Sequence, residues 1–401
     1  TDVTADTLTV RASLMAGSST VVLPRLVAGA HYAYAAAVTD GLGHTGEPIN
    51  GTFTTPPLPD DLVGFHVDPS GDASEPVMML SPRVASGFNG FVAVDRRGNV
   101  VWYYRTTGAA QGATRRANGN FVLNDLGTGL VEVTPDGAVV HTMAYDYFGP
   151  SPHHDVVETP QGHILFISHD LRTPPGHATI FGDAIYEWVP ETGEVTRRWS
   201  AWDWYNPDVD WGAASYDQDW LHANSLAIGP HGNILLSLNW LDQVISIAPD
   251  WSHIEWRLGG RTSDFALDSD AVFTGQHSFT MPAEGHVLMF DNQRESTDPH
   301  PVSRGLEIAL DTVRHRASVA WQFKAPDDNY APYLGLVRRL PNGNTFVFFG
   351  LPTGVFNGHE TVGPVAGYEV SPAGEVVYRD VVTGVLSVYR EWTLDAFGDE
   401  Q

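Results

Sequence analysis

Three histidines recur at one place in a repeating pattern, and imidazole is the side chain that can act as nucleophile, acid or base near neutral pH. His154 precedes Gly162, His222 precedes Gly232 and His277 precedes Gly285, each glycine lying in a turn signal. The equivalent region of the last repeat carries Tyr333. Polar residues able to orient a ring stand beside them: Asp155 after His154, Asn224 two places after His222, and Gln276 before His277. A lone histidine reads as a core residue satisfied by a neighbour. A ring that is costly to desolvate has no packing reason to recur three times. Seven residues after each turn glycine come His169, Asn239, Asn292 and Gly350, expected as a second tier of the same funnel.

The stretch Asp219–Ile247, DWLHANSLAIGPHGNILLSLNWLDQVISI, shows what must hold these groups. Two apolar strands flank a turn at Pro230-His231-Gly232-Asn233, and because side chains at i and i+2 share a strand face, His222 and Asn224 are expected to look the same way. From about residue 62 the plan repeats every roughly 40 to 60 residues, the period of propeller blades. First turns are read at Gly98, Gly119, Gly162, Gly232, Gly285 and Gly343, and second turns at Pro135-Asp136-Gly137, Glu191-Thr192-Gly193, Pro249-Asp250-Trp251 and Pro372-Ala373-Gly374. The pattern predicts an all-β fold, a six-bladed β-propeller over 62–395 whose first strands line an axial channel. Tyr389-Arg390-Glu391-Trp392 is expected to close the ring, since an unpaired last strand would leave an open edge. Aromatic residues of Trp202–Trp211 are expected at the channel mouth. Residues 1–58 read as a small β-sandwich, with Leu8, Val10 and Ala12 on one face, Val21-Val22-Leu23 next and Tyr32-Ala33-Tyr34 after a turn. That unit resembles the late strands of a fibronectin type III-like domain with too few residues upstream for the early ones. Pro56-Pro57-Leu58-Pro59 reads as the linker.

Composition narrows the function. The 401 residues carry 48 acidic and 22 basic side chains, a formal charge of −26 that repels phosphate backbones, so nucleic acid is excluded as a partner. No apolar run is long enough for a membrane span, and no leader peptide opens this chain. Lys324 is the single lysine, the one candidate for Schiff-base chemistry, and the absence of cysteine removes disulfides and thiolate ligands.

Several blocks carry a family resemblance: His154-Asp155-Val156 with Gln161-Gly162-His163-Ile164-Leu165, Asp219-Trp220-Leu221-His222-Ala223-Asn224-Ser225, Trp256-Arg257-Leu258-Gly259-Gly260 with Ser263-Asp264-Phe265, Gln276-His277, and Phe290-Asp291-Asn292 with Ser303-Arg304-Gly305. In this order they resemble the arylsulfotransferase family over roughly 62 to 395. The resemblance implies transfer of a sulfuryl group between phenolic compounds through a histidine intermediate on His277, with His154, His222 and Asn224 in support and no cofactor. Asn239, Trp240, His169, Asn292, Tyr333 and Gln276 are then expected to contact substrate. It also implies a secreted or periplasmic enzyme. One departure stands out: the family's arginine at the end of the second strand of the DWLHxNS blade is replaced by Asn239, which removes a bidentate sulfate grip. Arg115, Arg257 and Arg304 are the replacements considered.

The residues alone leave two other readings open. His154, His222 and His277 could ligate a divalent metal (Zn, Mn, Fe or Ca), completed by His169, Gln276 or water, in a lyase or hydrolase acting on an aromatic or saccharide substrate. A propeller with an inert polar channel would be a non-enzymatic binding platform. The acidic and histidine-rich tract Asp291–His300 is read as a solvated loop.

Overall fold

In the computed structural model, residues 23, 25–210 and 218–394 are described. Leu8, Val10, Ala12, Val21, Val22 and Trp211 lie outside them. Six sheets, each built on four antiparallel strands, follow one another around an axis. Blade II is Ala110–Arg115, Phe121–Asp125, Gly129–Val133 and Val139–Ala144. Blade III is Pro152–Glu158, Ile164–Arg172, Ile180–Val189 and Glu194–Ser200. Blade IV is Ala223–Ile228, Ile234–Leu238, Gln243–Ile247 and Ile254–Gly259. Blade V is His277–Ala283, His286–Asp291, Arg304–Asp311 and Arg316–Lys324. Blade VI is Leu336–Arg339, Thr345–Phe349, Val365–Val370 and Val376–Thr383. The first strand of each packs against the first strand of the next, so these strands line the axis.

Blade I is assembled from both ends of the chain. Val77–Val84, Gly90–Asp95 and Val100–Arg105 supply its outer strands, and Val385–Leu394 supplies the inner one, pairing Glu391 with Leu80 and Trp392 with Met79. The C-terminal segment thus closes the ring as expected. His66–Gly71 adds a fifth strand to the outside of blade VI, a second closure. This arrangement corrects one turn assignment: Arg97-Gly98-Asn99 joins the two outermost strands of blade I, because the inner strand of that blade arrives last in sequence.

The apolar second and third strands are explained by burial on both faces. Each sheet packs on two neighbours, and the hydrophobic clusters fall between consecutive blades, for example Leu165, Ile167 and Ile185 of blade III against Leu226, Leu236 and Ile245 of blade IV. Blades V and VI meet through Leu288, Phe290, Val337 and Phe349. Blades VI and I meet through Phe346, Phe348, Met78 and Leu80, so the closing joint is as apolar as the others. Ahead of the propeller, His31–Ala36 and Ile49–Thr54 form a two-stranded hairpin. Among the described residues no helix is long and apolar enough to cross a membrane.

Candidate active site

A ladder between inner strands fixes which residues share a level. Asp155 Oδ2 accepts from Leu226 N (3.0 Å), Ser225 Oγ from Phe279 N (2.8 Å) and Ser278 Oγ from Val337 N (3.2 Å). Asp155, Ser225 and Ser278 are therefore equivalent, and the residues before them, His154, Asn224 and His277, form one ring. His222 sits two residues earlier, at the level of Tyr333. Counted back from the turn glycine, His154, Asn224 and His277 each stand eight residues ahead and His222 ten, so the sequence reading that set His222 level with the other two histidines is out by two residues. His154, His222 and Ser278 hold left-handed backbone at φ 56, 53 and 53, a conformation that is strained for side chains of this kind and is found at functional sites. Gly112 makes room for this turn of chain, since a Cβ there would lie 2.3 Å from the His154 carbonyl oxygen.

His277 is almost fully buried, and its tautomer is set by its surroundings. Nδ1 donates to Asn292 Oδ1 (2.8 Å) and lies 3.1 Å from the Gly275 carbonyl, while the Asn292 amide nitrogen is committed to the carbonyls of Ala331 and Leu334. Nε2 therefore carries the lone pair, met by a long 3.3 Å bond from Leu334 N–H. Burial first, and then the nearby charges of Arg390, His222 and Arg294, hold this imidazole down to about 3, against the opposing bond from Asn292.

Two imidazoles face each other across the same space, with the rings of His154 and His222 edge to face at 4.6 Å. His222 Nδ1 is 2.5 Å from Asp219 Oδ2, which also accepts from the Trp240 indole at 3.0 Å. Burial opposes the charge on Asp219, yet the His222 partner and the indole bond keep its carboxyl below the ordinary value. Trp240 stacks obliquely on His222 at 4.6 Å. His154 Nδ1 pairs with His153 Nδ1 at 2.7 Å, and His153 Nε2 is 3.2 Å from Asp183 Oδ1. Burial, followed by the charges of His222, His153 and His277, drives His154 well below its usual value. Burial likewise takes His153 and His169 down to about 3 and lifts Asp183 to about 7. His169 stacks on His153 at 4.0 Å and edges Phe181 at 5.3 Å, so it joins the second tier on the blade III side.

Asn224 and Asn239 donate to the same acceptor, the Gln276 carbonyl, each at 2.9 Å, and so brace the strand that carries His277. The Gln276 side chain turns into the wall, bonding Ser237 Oγ and Gln243 O at 3.0 Å.

A cation does occupy the neighbourhood of Asn239, and the sequence reading missed it. Buried Arg294 donates from Nη1 to Asn239 Oδ1 (2.6 Å), with Nη2 3.4 Å from the Asn239 carbonyl. Its guanidinium lies 4.3 Å from the Trp240 ring centroid and 5.5 Å from that of Tyr333. Arg294 belongs to the tract read as a solvated loop. Asp298 and His300 of that tract are exposed, whereas Arg294 turns inward. The earlier candidates are elsewhere: Arg304 pairs with Asp291 (2.9 Å), Arg257 lies over Tyr205, and Arg115 lines a cavity of about 580 Å³ at the opposite end of the inner strands. Arg390, also missed, separates that cavity from the histidines. It bonds Asp155 at 2.7 Å and the Asn224 carbonyl at 2.9 Å.

Six sheets around a closed axis, with imidazoles, carboxylates and two buried guanidinium groups converging where the inner strands begin, define a six-bladed β-propeller with a polar axial site. The chain belongs to the arylsulfotransferase (ASST) family, whose profile matches residues 67–387. No curated protein matches it in sequence. Among solved structures, a protein of unknown function from Bacteroides caccae is 15% identical, with a TM-score of 0.50, over 79% of this chain and 98% of that one. Virginiamycin B lyase from Staphylococcus aureus is 11% identical, with a TM-score of 0.40, over 80% and 99%. A chain of a nidogen/laminin complex is 9% identical, with a TM-score of 0.47, over 80% and 99%. At 15% identity the first of these shares a fold and nothing further follows from it.

Proposed function

We propose that this protein moves a sulfuryl group from one phenolic compound to another, with His277 as the covalent carrier. The observation that carries the reading is the state of that ring: its Nδ1 proton is committed to Asn292, and its buried, neutral Nε2 presents a lone pair held only by the long bond from Leu334. Nε2 attacks sulfur of an aryl sulfate, the N–S bond forms as the S–O bond to the aryl group breaks, and the departing phenolate takes a proton from Nε2 of His222, which enters this step as an imidazolium paired with Asp219. An acceptor phenol then gives its proton to the same base, its oxygen bonds sulfur, and the N–S bond breaks. Asp219 holds His222 in the tautomer with Nδ1 protonated, which leaves Nε2 to exchange the proton.

Arg294 supplies the positive charge missing at the end of the second strand of the DWLHxNS blade, and Asn239 serves as its anchor. Preorganised donors of this kind act on charge that shifts between sulfur oxygens and the leaving group, where a buried site makes them strongest. Trp240 and Tyr333 offer the aromatic faces for a phenol. The propeller is read as preceded by a small fibronectin type III-like sandwich, and the protein as secreted or periplasmic.

Incubation with p-nitrophenyl sulfate and a series of phenols tests this. Parallel double-reciprocal lines and nitrophenol release that depends on the acceptor are expected. Release of nitrophenol that is absent, or identical in His277→Ala, would overturn the reading.

A further inference from the structure

We propose that His153, His169 and Asp183 of blade III bind a divalent transition-metal ion of the zinc or iron(II) class beside the axial histidines. Their candidate ligand atoms all lie within 4.8 Å of one another. His153 Nε2 is 3.2 Å and His169 Nδ1 is 4.0 Å from Asp183 Oδ1. Both nitrogens are buried and neither has a hydrogen-bond partner. His153 itself is 5% exposed, so one of these unpartnered atoms belongs to a side chain with no recourse to solvent.

The carboxylate is aimed rather than loose. Asp183 Oδ2 accepts from Ala223 N at 2.9 Å across the boundary with blade IV, which leaves Oδ1 facing the two rings. Those rings stack at 4.0 Å with 23° between planes, and Phe181 closes the flank of His169. Ligands about 2.0–2.1 Å from a tetrahedral ion stand about 3.4 Å apart. The His153–Asp183 spacing already meets this; His169 must draw in by about half an ångström toward Asp183 and swing out of its stack on His153, since each nitrogen's lone pair lies in its ring plane. Two imidazoles and a carboxylate are the donor set of zinc and non-haem iron sites, not of calcium or magnesium, which take oxygen.

The site has a consequence for the axis, and this part alone rests on the sulfuryl-transfer reading. A metal on His153 Nε2 leaves Nδ1 as that ring's only proton carrier, so Nδ1 must donate to His154 Nδ1 at 2.7 Å. The His154 proton is then obliged to sit on Nε2. The ion would act as a positioning device that fixes the tautomer of an axial imidazole, in the way outer-shell partners fix metal-bound histidines.

Chelator-stripped protein titrated with Co(II), followed by displacement with Zn(II), reads binding without any substrate. One equivalent is expected, with the visible bands of a nitrogen- and oxygen-ligated cobalt ion and a Kd below about 1 μM. His169→Ala, at a partly exposed position, should weaken binding by on the order of 100-fold, and Asp183→Asn by at least as much. His277→Ala should bind the metal as the parent does, so a failure of sulfuryl transfer and a failure of this site are separately visible. Absence of stoichiometric binding, or equal binding by the parent and His169→Ala, would overturn the proposal.

Discussion

Arg294→Gln is the substitution whose outcome depends most on the argument for anion binding. The guanidinium has five N–H groups. One on Nε goes to Glu295 at 3.1 Å, one on Nη1 to Asn239 Oδ1 at 2.6 Å and one on Nη2 toward the Asn239 carbonyl at 3.4 Å. One N–H on each terminal nitrogen is left to meet sulfate oxygens. A hydrogen bond to a charged group is worth about 1.5–3 kcal/mol, so losing two removes about 3–6 kcal/mol. Glutamine can return one neutral donor, which reduces the expected loss to about 2–4 kcal/mol. At 1.36 kcal/mol per decade, kcat/KM for the sulfate donor should fall about 30- to 1000-fold. Arg294→Lys should lie between, since it keeps charge on a flexible stem but loses the planar guanidinium and its stacking on Trp240. The assay is initial-rate nitrophenol release over a range of donor concentration at saturating phenol, with near-UV circular dichroism to confirm folding. A folded Arg294→Gln within about threefold of the parent would refute the assignment, because uncertainty in the per-bond value cannot absorb so small an effect.

Three other outcomes follow from buried titratable groups. Asp219→Asn should leave KM for the donor near the parent value and lower kcat by about 10²- to 10⁴-fold, since it removes the group that fixes the His222 tautomer; rates from a steady-state series check this. His277 is held at about 3 when folded and returns to its ordinary 6.5 when unfolded, so the unfolded chain takes up the proton first and stability is lost as pH falls below about 6.5. Between pH 7 and pH 5 this ring alone accounts for about 2 kcal/mol, and urea titrations of His277→Gln should show a correspondingly flatter pH dependence. Glu391, buried on the closing strand against Asp380 with no donor to either oxygen, has its carboxyl raised well above the ordinary 4.5, first by burial and then by that neighbour. A raised acid is harmless below its unfolded pKa and destabilises as pH rises, so Glu391→Gln should raise Tm by about 2–4 °C at pH 8 and change nothing at pH 4, by scanning calorimetry.

Much of the propeller can be read from the chain because turn glycines recur with strands of fixed polarity between them. Gly119, Gly162, Gly232, Gly285 and Gly343 all have left-handed backbone in the expected turns, with φ between 71 and 89. The first blade was misread at Gly98 because its inner strand lies some 300 residues away in sequence. Levels within the channel are legible too, but the sequence reading misplaces one. A count of eight back from the turn glycine lands on His154, Asn224 and His277, whereas residue type alone makes His222, ten back, look like their equal. Arg294 carried no periodic signal, being a loop residue in a tract of polar side chains, and only its inward turn onto Trp240 reveals it. Asp183 did leave a trace: a carboxylate in the middle of the apolar strand Ile180–Val189 is a costly residue that demands a partner.

The central claim is that His277 carries the sulfuryl group, and the most direct measurement is mass spectrometry of protein quenched after brief exposure to p-nitrophenyl sulfate without acceptor. The account predicts a mass increase of one sulfuryl group, localised to His277 by fragmentation at neutral or alkaline pH, discharged by added phenol and absent from His277→Ala. Turnover with no adduct at any time, or an adduct on another residue that persists in His277→Ala, would contradict it.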